Sequence, residues 1–281
     1  MARIISYKEK DCFIHRLSGL TKLIVFIIWT LTSMLTYDTR VLAVMVVTSF
    51  IVLKLSRTEW SQVRSIFLFI VIFLSVNVIA IFLFSPYEGC RIYQSRTDLL
   101  RITDRYTFTA EQLFYELNVI LKYFTIVPSV FMFISSTNPS EFAASLNRIG
   151  LPYTASYSLA IALRYVPDVQ TDFNRIKNAQ EARGIEMSSK AHIFSRIKHM
   201  GAILFPLVFT SMEKIDSVTN AMELRGFGKH KSRTWYSAKK LKGADKIVII
   251  ITVIFAAAAL AVTYHDGNRF WNPFLTGGIN G

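Results

Sequence analysis

The sequence predicts an all-α integral membrane protein with about five transmembrane helices and a large cytoplasmic region of amphipathic helices. Three observations carry that expectation. The 281 residues are 52% hydrophobic with a mean hydropathy of +0.37, and only 18% are charged, against about a quarter in an average soluble domain. The apolar residues gather in long runs, and crossing the hydrocarbon core takes roughly 20 mostly apolar residues. Basic residues outnumber acidic ones by 32 to 19. They lie between and after those runs, where the cytoplasmic loops of membrane proteins collect Lys and Arg.

Residues 1–22 are polar and basic. Leu23 to Tyr37 forms the first apolar run and Val41 to Leu55 the second. Only Asp38-Thr39-Arg40 separates them, which predicts a tight helical hairpin. After a polar link from Arg57 to Arg64, Ile66 to Phe84 is the third span, with Asn77 as its single amide. Residues 85–111 are polar with mixed charge and predict a loop that closes at Thr109-Ala110-Glu111. The fourth span runs from about Leu113 to Ser135 and carries Lys122 and Pro128. Lys122 has two readings. Intramembrane charge marks functional sites, and a long Lys side chain near a helix end can snorkel to the interface.

From Thr137 to Lys242 the chain is moderately hydrophobic, rich in Arg and Lys, and helical in pattern. Asn138-Pro139-Ser140-Glu141 is a helix start, with Asn as N-cap, Pro in the first turn and Glu at the third position. That helix is expected to stop near Gly150, before Pro152. Ile247 to Tyr264 is the fifth span, and a short tail follows. The expected organisation is a membrane domain with four spans at 1–135, cytoplasmic or interfacial helices at 136–244, and the last span with an outer tail at 245–281.

Counting basic residues sets the orientation. Segments 1–22, 54–64 and 138–246 hold five, three and seventeen, which is 25 of the 32. Five spans place those segments on one side, so the N-terminus and the 138–246 region are expected in the cytoplasm and the tail outside. Cys12 and Cys90 then lie on opposite sides of the bilayer and form no disulfide framework. The first apolar run begins only near Leu23, lacks a small-residue cleavage site and is followed at once by another. No cleavable signal peptide is expected.

Two amphipathic helices stand out in the cytoplasmic region. In the first, Val166, Val169, Phe173 and Ile176 form an apolar stripe, and the helix ends in Ala182-Arg183-Gly184. In the second, Met212, Ile215, Val218 and Met222 share a face, and the helix ends in Leu224-Arg225-Gly226. Gly just past a helix end accepts the left-handed conformation that closes the last turn, and Arg there complements the negative end of the dipole. Each Arg-Gly alone is an ordinary C-cap. Glu181-Ala182-Arg183-Gly184-Ile185 parallels Glu223-Leu224-Arg225-Gly226-Phe227, 42 positions apart. A guanidinium at the tip of a rigid helix is a plug for a partner's carboxylate, permanently charged and bidentate.

With these motifs the chain resembles the T component of energy-coupling-factor transporters, the CbiQ/EcfT-like family. The resemblance covers most of the chain. It is strongest at Ala162-Leu163-Arg164-Tyr165-Val166-Pro167, Ala179-Gln180-Glu181-Ala182-Arg183-Gly184 and Ala221-Met222-Glu223-Leu224-Arg225-Gly226-Phe227. Asn138-Pro139, Gly150-Leu151-Pro152, His15-Arg16-Leu17 and Thr21-Lys22-Leu23 add to it. Two Ala-Arg-Gly motifs mark the family, and the second departs here with Leu224 in place of Ala.

The resemblance implies a transmembrane coupling subunit of an ABC-type importer in the plasma membrane of a prokaryote. Two ABC-type ATPase subunits would bind the coupling helices at Glu181-Ala182-Arg183-Gly184 and Glu223-Leu224-Arg225-Gly226, with Arg183 and Arg225 as the anchors. A membrane-embedded S component would bind a vitamin or a metal ion such as cobalt. The chain itself would be no enzyme and would bind no cofactor, with ATP and Mg held by the partner ATPases. No G-x-x-x-x-G-K-[ST] phosphate loop is present in the sequence. The apolar, small-residue stretches Thr154 to Leu163 and Ala202 to Met212 offer Ala155, Ser158, Ala160, Ala162, Leu204 and Phe209 to an S-component helix, or to packing within the subunit. Glu181 and Glu223 are read as orienting the guanidinium groups, as pairing with nearby Arg or Lys, or as plain solvent-exposed acids.

Other classes fit less well. The five histidines, His15, His192, His199, His230 and His265, show no H-x-x-x-H spacing, and the spans hold almost no ionisable group besides Lys122, so an intramembrane enzyme is not expected. A stand-alone permease with its own substrate path is the alternative, although internal repeats of spans are absent. The basic stretch Lys229 to Lys242 suits the cytoplasmic leaflet of the bilayer, and no nucleic-acid partner is expected.

Overall fold

A computed structural model describes residues 12–58, 60–101, 106–184, 193–230, 234–265 and 269–274 (for 60–63, 65, 66 and 193–199 the backbone course alone). The first eleven residues, Ile185 and His192 lie outside the described residues. The chain is an all-α membrane protein with one small hairpin. Its described elements are α1 (Phe13–Arg16), α2 (Gly19–Leu35), α3 (Thr39–Leu55), α4 (Trp60–Phe84), α5 (Glu88–Tyr93), β1 (Asp98–Arg101), β2 (Thr107–Thr109), α6 (Ala110–Ser136), α7 (Pro139–Ile149), α8 (Tyr153–Ala182), α9 (Ile193–Leu224) and α10 (Gly243–Tyr264).

Three described helices are long and apolar enough to cross a membrane: Phe67–Phe84 within α4, α6 and α10. The 17-residue α2 and α3 reach only about 25 Å at 1.5 Å per residue, against a hydrocarbon core of about 30 Å. The link between them is as short as expected, and Asp38 ends it and caps α3, its carboxylate accepting from the Arg40 N–H at 2.9 Å. But α2 and α3 form no tight helical hairpin: each packs on α6 and α10 and not closely on the other.

Two compact units emerge, residues 1–138 with 239–281, and residues 139–238. In the first, α6 packs on α2, α3, α4 and α5, and α10 packs on α2. Large apolar side chains such as Val47, Ile51, Phe69, Ile72, Val76, Ile251 and Ile254 point outward and are exposed. Small polar groups meet inside: Ser49 with Ser129 at 3.4 Å, Thr58 with Ser135 at 3.0 Å and Thr36 with Thr263 at 2.6 Å. In lipid, helix association draws on close packing and interhelical hydrogen bonds, not on burial of apolar area. Trp29 joins both modes, stacking on Phe255 with ring centroids 5.1 Å apart and donating to Ser49 Oγ at 2.8 Å.

The 85–111 segment departs from the expected loop. It holds α5 and an antiparallel hairpin with Asp98 opposite Thr109 and Arg101 opposite Thr107. The start of α6 organises it. Glu111 accepts from Ser95 Oγ at 2.8 Å, Thr97 N at 3.0 Å and Thr97 Oγ1 at 2.9 Å, and Gln112 Oε1 accepts from Gly89 N at 2.9 Å. Any Cβ on Gly89 would lie 2.6 Å from Gln112 Cα. Burial in this region holds the Tyr93 phenol well above its usual range, at about 12.

Lys122 is buried. Its ammonium donates to the Met34 carbonyl at 3.1 Å and sits 3.1 Å from the centroid of the Tyr37 ring. Its side chain turns back onto the last turn of α2.

Candidate coupling site

The second unit contains α7, α8 and α9. Helix α8 begins directly after Pro152, at Tyr153. It runs 30 residues and α9 runs 32, each through one internal proline, Pro167 and Pro206.

Three contacts fix how the two helices lie together. Tyr157 near the start of α8 meets Phe227 just past α9, ring centroids 4.9 Å apart. Asp172 in the middle of α8 is ion-paired with Lys214. Gln180 in the last turn of α8 donates to the Ala202 carbonyl near the start of α9 at 3.1 Å. As the α8 number rises the α9 number falls, so the pair is antiparallel. Arg183 therefore lies level with about residue 201, and Arg225 is 24 residues further along α9. At 1.5 Å per residue the two arginine-bearing ends stand about 35 Å apart along the helix axis.

Both ends close in the same way. Arg183 is the C-cap of α8, and Gly184 follows at φ +87° with its N–H donating to Glu181 O at 3.0 Å. Arg225 follows Leu224, and Gly226 at φ +69° donates to Glu223 O at 2.8 Å. Phe227 N donates to Met222 O at 2.9 Å, which completes the two-bond Schellman pattern. The positive φ explains why glycine stands at both positions.

The side chains around these caps are exposed at Ala182, Arg183, Glu223, Leu224 and Arg225. Leu224 is 90% exposed. Glu181 is half-buried and pairs with Lys177, 3.7 Å away, one turn back on α8, so it does not face Arg183. A Cβ on Gly184 would meet nothing within 4 Å. At the Arg225 end a four-ring cluster braces the tip. Phe227 packs on Tyr153 as well as Tyr157, Trp235 lies 5.6 Å and 5.9 Å from the same two rings, and Trp235 Nε1 donates to Asn147 Oδ1 at 3.1 Å. The aromatic residue directly after Arg-Gly was the signal in the sequence, but its partners lie about 70 residues upstream.

Among the small-residue positions, Ala155, Ser158 and Ala162 are spaced by three and four, share one face of α8 and are exposed. Ala160 lies off that face and is buried, 9% exposed. Leu204 and Phe209 are exposed, at 46% and 63%. The stripes of α8 and α9 are only partly covered: Val166, Val169, Met212 and Ile215 are exposed, while Phe173, Ile176, Val218 and Met222 are half-buried.

Residues 10–236 match the family model described as CbiQ, cobalt transport protein. The chain is similar to the energy-coupling factor transporter transmembrane protein EcfT of Bacillus selenitireducens, 27% identical over 263 residues, which is 93% of this chain and 97% of the relative. The protein of the same name from Streptococcus equi subsp. equi is 26% identical over 257 residues, 88% of this chain and 91% of its own. That from Lactococcus lactis is 32% identical over 110 residues, 39% and 41% of the two chains.

Proposed function

The chain belongs to the CbiQ cobalt-transport-protein family and is the T component of an energy-coupling-factor transporter, and on that premise we propose that it couples two ABC-type ATPase subunits to a membrane-embedded S component. Arg183 and Arg225 each dock in a groove of one ATPase, against an acidic side chain. Binding of ATP draws the ATPases together and moves the two helix ends. The S component, which carries a vitamin or a metal ion, is gripped by the exposed faces that include Ala155, Ser158, Ala162, Leu204 and Phe209, and it reorients as those helices shift. Catalysis and the ATP with its Mg belong to the ATPases. The N-terminus and the 139–238 unit face the cytoplasm, as the placement of 25 of 32 basic residues supports.

The observation that carries this reading is the pair of matched Arg-Gly caps at opposite ends of one antiparallel helix pair, about 35 Å apart by helix rise. One helix pair thereby offers two like plugs to two separate partners. Membership of a family of transporter subunits favours this role over a stand-alone permease. The decisive test is the double change Arg183→Ala with Arg225→Ala in the tagged full chain, expressed with its native partners. Loss of co-purifying ATPase subunits with unchanged membrane insertion is expected. A double variant that still holds both ATPases, or still couples hydrolysis to uptake, would remove the assignment.

A further inference from the structure

Gln180 lies three residues before Arg183, in the last turn of α8. Its amide donates across to Ala202 O on α9 at 3.1 Å. Ala202 is four residues before Pro206, and a proline has no N–H to give that carbonyl its helical partner. Gln180 therefore supplies from α8 the hydrogen bond that Pro206 removes from α9. One turn further on, Thr210 Oγ1 donates back to the Pro206 carbonyl at 2.8 Å. Proline together with such back-bonding bends helices.

Helix α8 repeats the local chemistry but not the clip. Thr171 Oγ1 donates to Pro167 O at 3.0 Å, the same Pro-x-x-x-Thr arrangement. No side chain among the described residues donates to the carbonyl of Leu163, the position four before Pro167. One bend is thus tied to the end of the neighbouring helix and the other is not. The tied bend is also where α9 carries exposed Leu204 and Phe205 on one side and exposed Val208 and Phe209 on the other. A change of bend angle alters how these two halves of the apolar surface are set.

We propose that Gln180 is a positioning residue that clips the Arg183 end of α8 to the Pro206 bend of α9, so that displacement of that end changes the bend. The transmission part rests on Arg183 being a partner-docking residue; the clip itself does not. The same hydrogen bond links the Arg183 end to the Pro206 site across the helix pair, whereas the Arg225 end is joined to it through α9 itself.

The test uses the full chain with Cys12 and Cys90 changed to Ser and spin labels at exposed Met200 and Asp216, which flank Pro206 at a helix spacing of about 24 Å. Without nucleotide, Gln180→Met is expected to widen the distance distribution about twofold. Gln180→Lys, which keeps a donor, restores the width. In a Pro206→Ala background, where the N–H is regained, Gln180→Met has no effect. Equal widths in the first comparison, or the same widening with Pro206→Ala, would overturn the clip. In the complex with its ATPase subunits, trapping with ATP, Mg and vanadate is expected to shift the distance, and Gln180→Met to at least halve the shift with the ATPases still bound. An absent shift, or one that Gln180→Met leaves whole, would overturn transmission. Failure of the unaltered chain to hold ATPases would count against the docking role of Arg183, while the nucleotide-free widths still decide the clip.

Discussion

Lys22 and Lys122 cap each other's helices. Lys22, in the first turn of α2, donates to the Ser136 carbonyl at the end of α6 at 2.6 Å, and Lys122 of α6 donates to the Met34 carbonyl at the end of α2 at 3.1 Å. The two helices are antiparallel, so each lends a cation to the other's negative end, where the last carbonyls have no helical partner. Both lysines are buried, which is tolerable only because each ammonium has a carbonyl to bind. The Tyr37 ring beneath Lys122 adds a cation–π contact.

Changing Lys22 to Met, or Lys122 to Met, is expected to destabilise the membrane unit by about 1–3 kcal/mol each, the usual cost of a buried acceptor left unsatisfied. The two sites lie at opposite ends of α2, so the losses should add to within about 0.5 kcal/mol. Thermal unfolding of the detergent-solubilised chain measures both. A Lys122→Met protein as stable as the parent would show that the cap contributes nothing.

Asp245 ties two helix starts together. One carboxylate oxygen accepts from Ser18 N and Thr21 Oγ1 at the head of α2, both at 2.8 Å, and the other accepts from Lys242 N at the head of α10, also at 2.8 Å. Asp245→Ala orphans three donors and is expected to cost about 2–4 kcal/mol. Asp245→Asn, which keeps an oxygen acceptor but lacks the charge, should cost less. The comparison of the two variants by unfolding midpoint checks the order.

Replacement of the tip glycines should follow backbone conformation and not size. Gly184 has open space where a Cβ would go but a φ of +87°. Retention of ATPase subunits is expected to fall in the order Gly, Asn, Ala, Val at position 184, since Asn tolerates the left-handed region and β-branched residues do not. Equal retention for Asn and Val would show that the cap conformation is irrelevant to docking.

Phe227→Ala removes a ring that packs on both Tyr153 and Tyr157 and is expected to destabilise the 139–238 unit by about 1–3 kcal/mol, below the full-core range because the ring is half-buried. ATPase retention should weaken less than with Arg225→Ala, because the cation survives while its support loosens. Phe227→Leu should recover part of the loss.

The Tyr93 phenol gives a pH signature. Burial raises it to about 12 while the Asn118 amide, 3.2 Å away, opposes that shift more weakly. The folded value lies above the unfolded one of about 10, so its stabilising contribution is complete below pH 10 and is lost as pH climbs through 12. Ultraviolet titration should show a late-ionising tyrosine fraction, and Tyr93→Phe should reduce it. An unchanged titration curve in the variant would contradict it.

Short-range chemistry made much of this protein legible from residues alone. The apolar runs announce their helices because lipid demands an unbroken stretch. The ends at Arg183-Gly184 and Arg225-Gly226 announce themselves because a left-handed closing residue is a local requirement. The short helix and hairpin between residues 88 and 109 were not legible, since their stability comes from Glu111 and Gln112 on the next helix and not from any periodicity of their own. The same holds for Lys122, whose role depends on a carbonyl 88 positions away, and for Gln180, which reads as one more polar residue until Ala202 is beside it. The sequence determined where the long apolar and amphipathic helices lie and that two of them end in a cation. Only the tertiary structure decided that those two run antiparallel, with their arginines at opposite ends, because the direction and register of packed helices rest on contacts between residues far apart in the chain that no local period encodes.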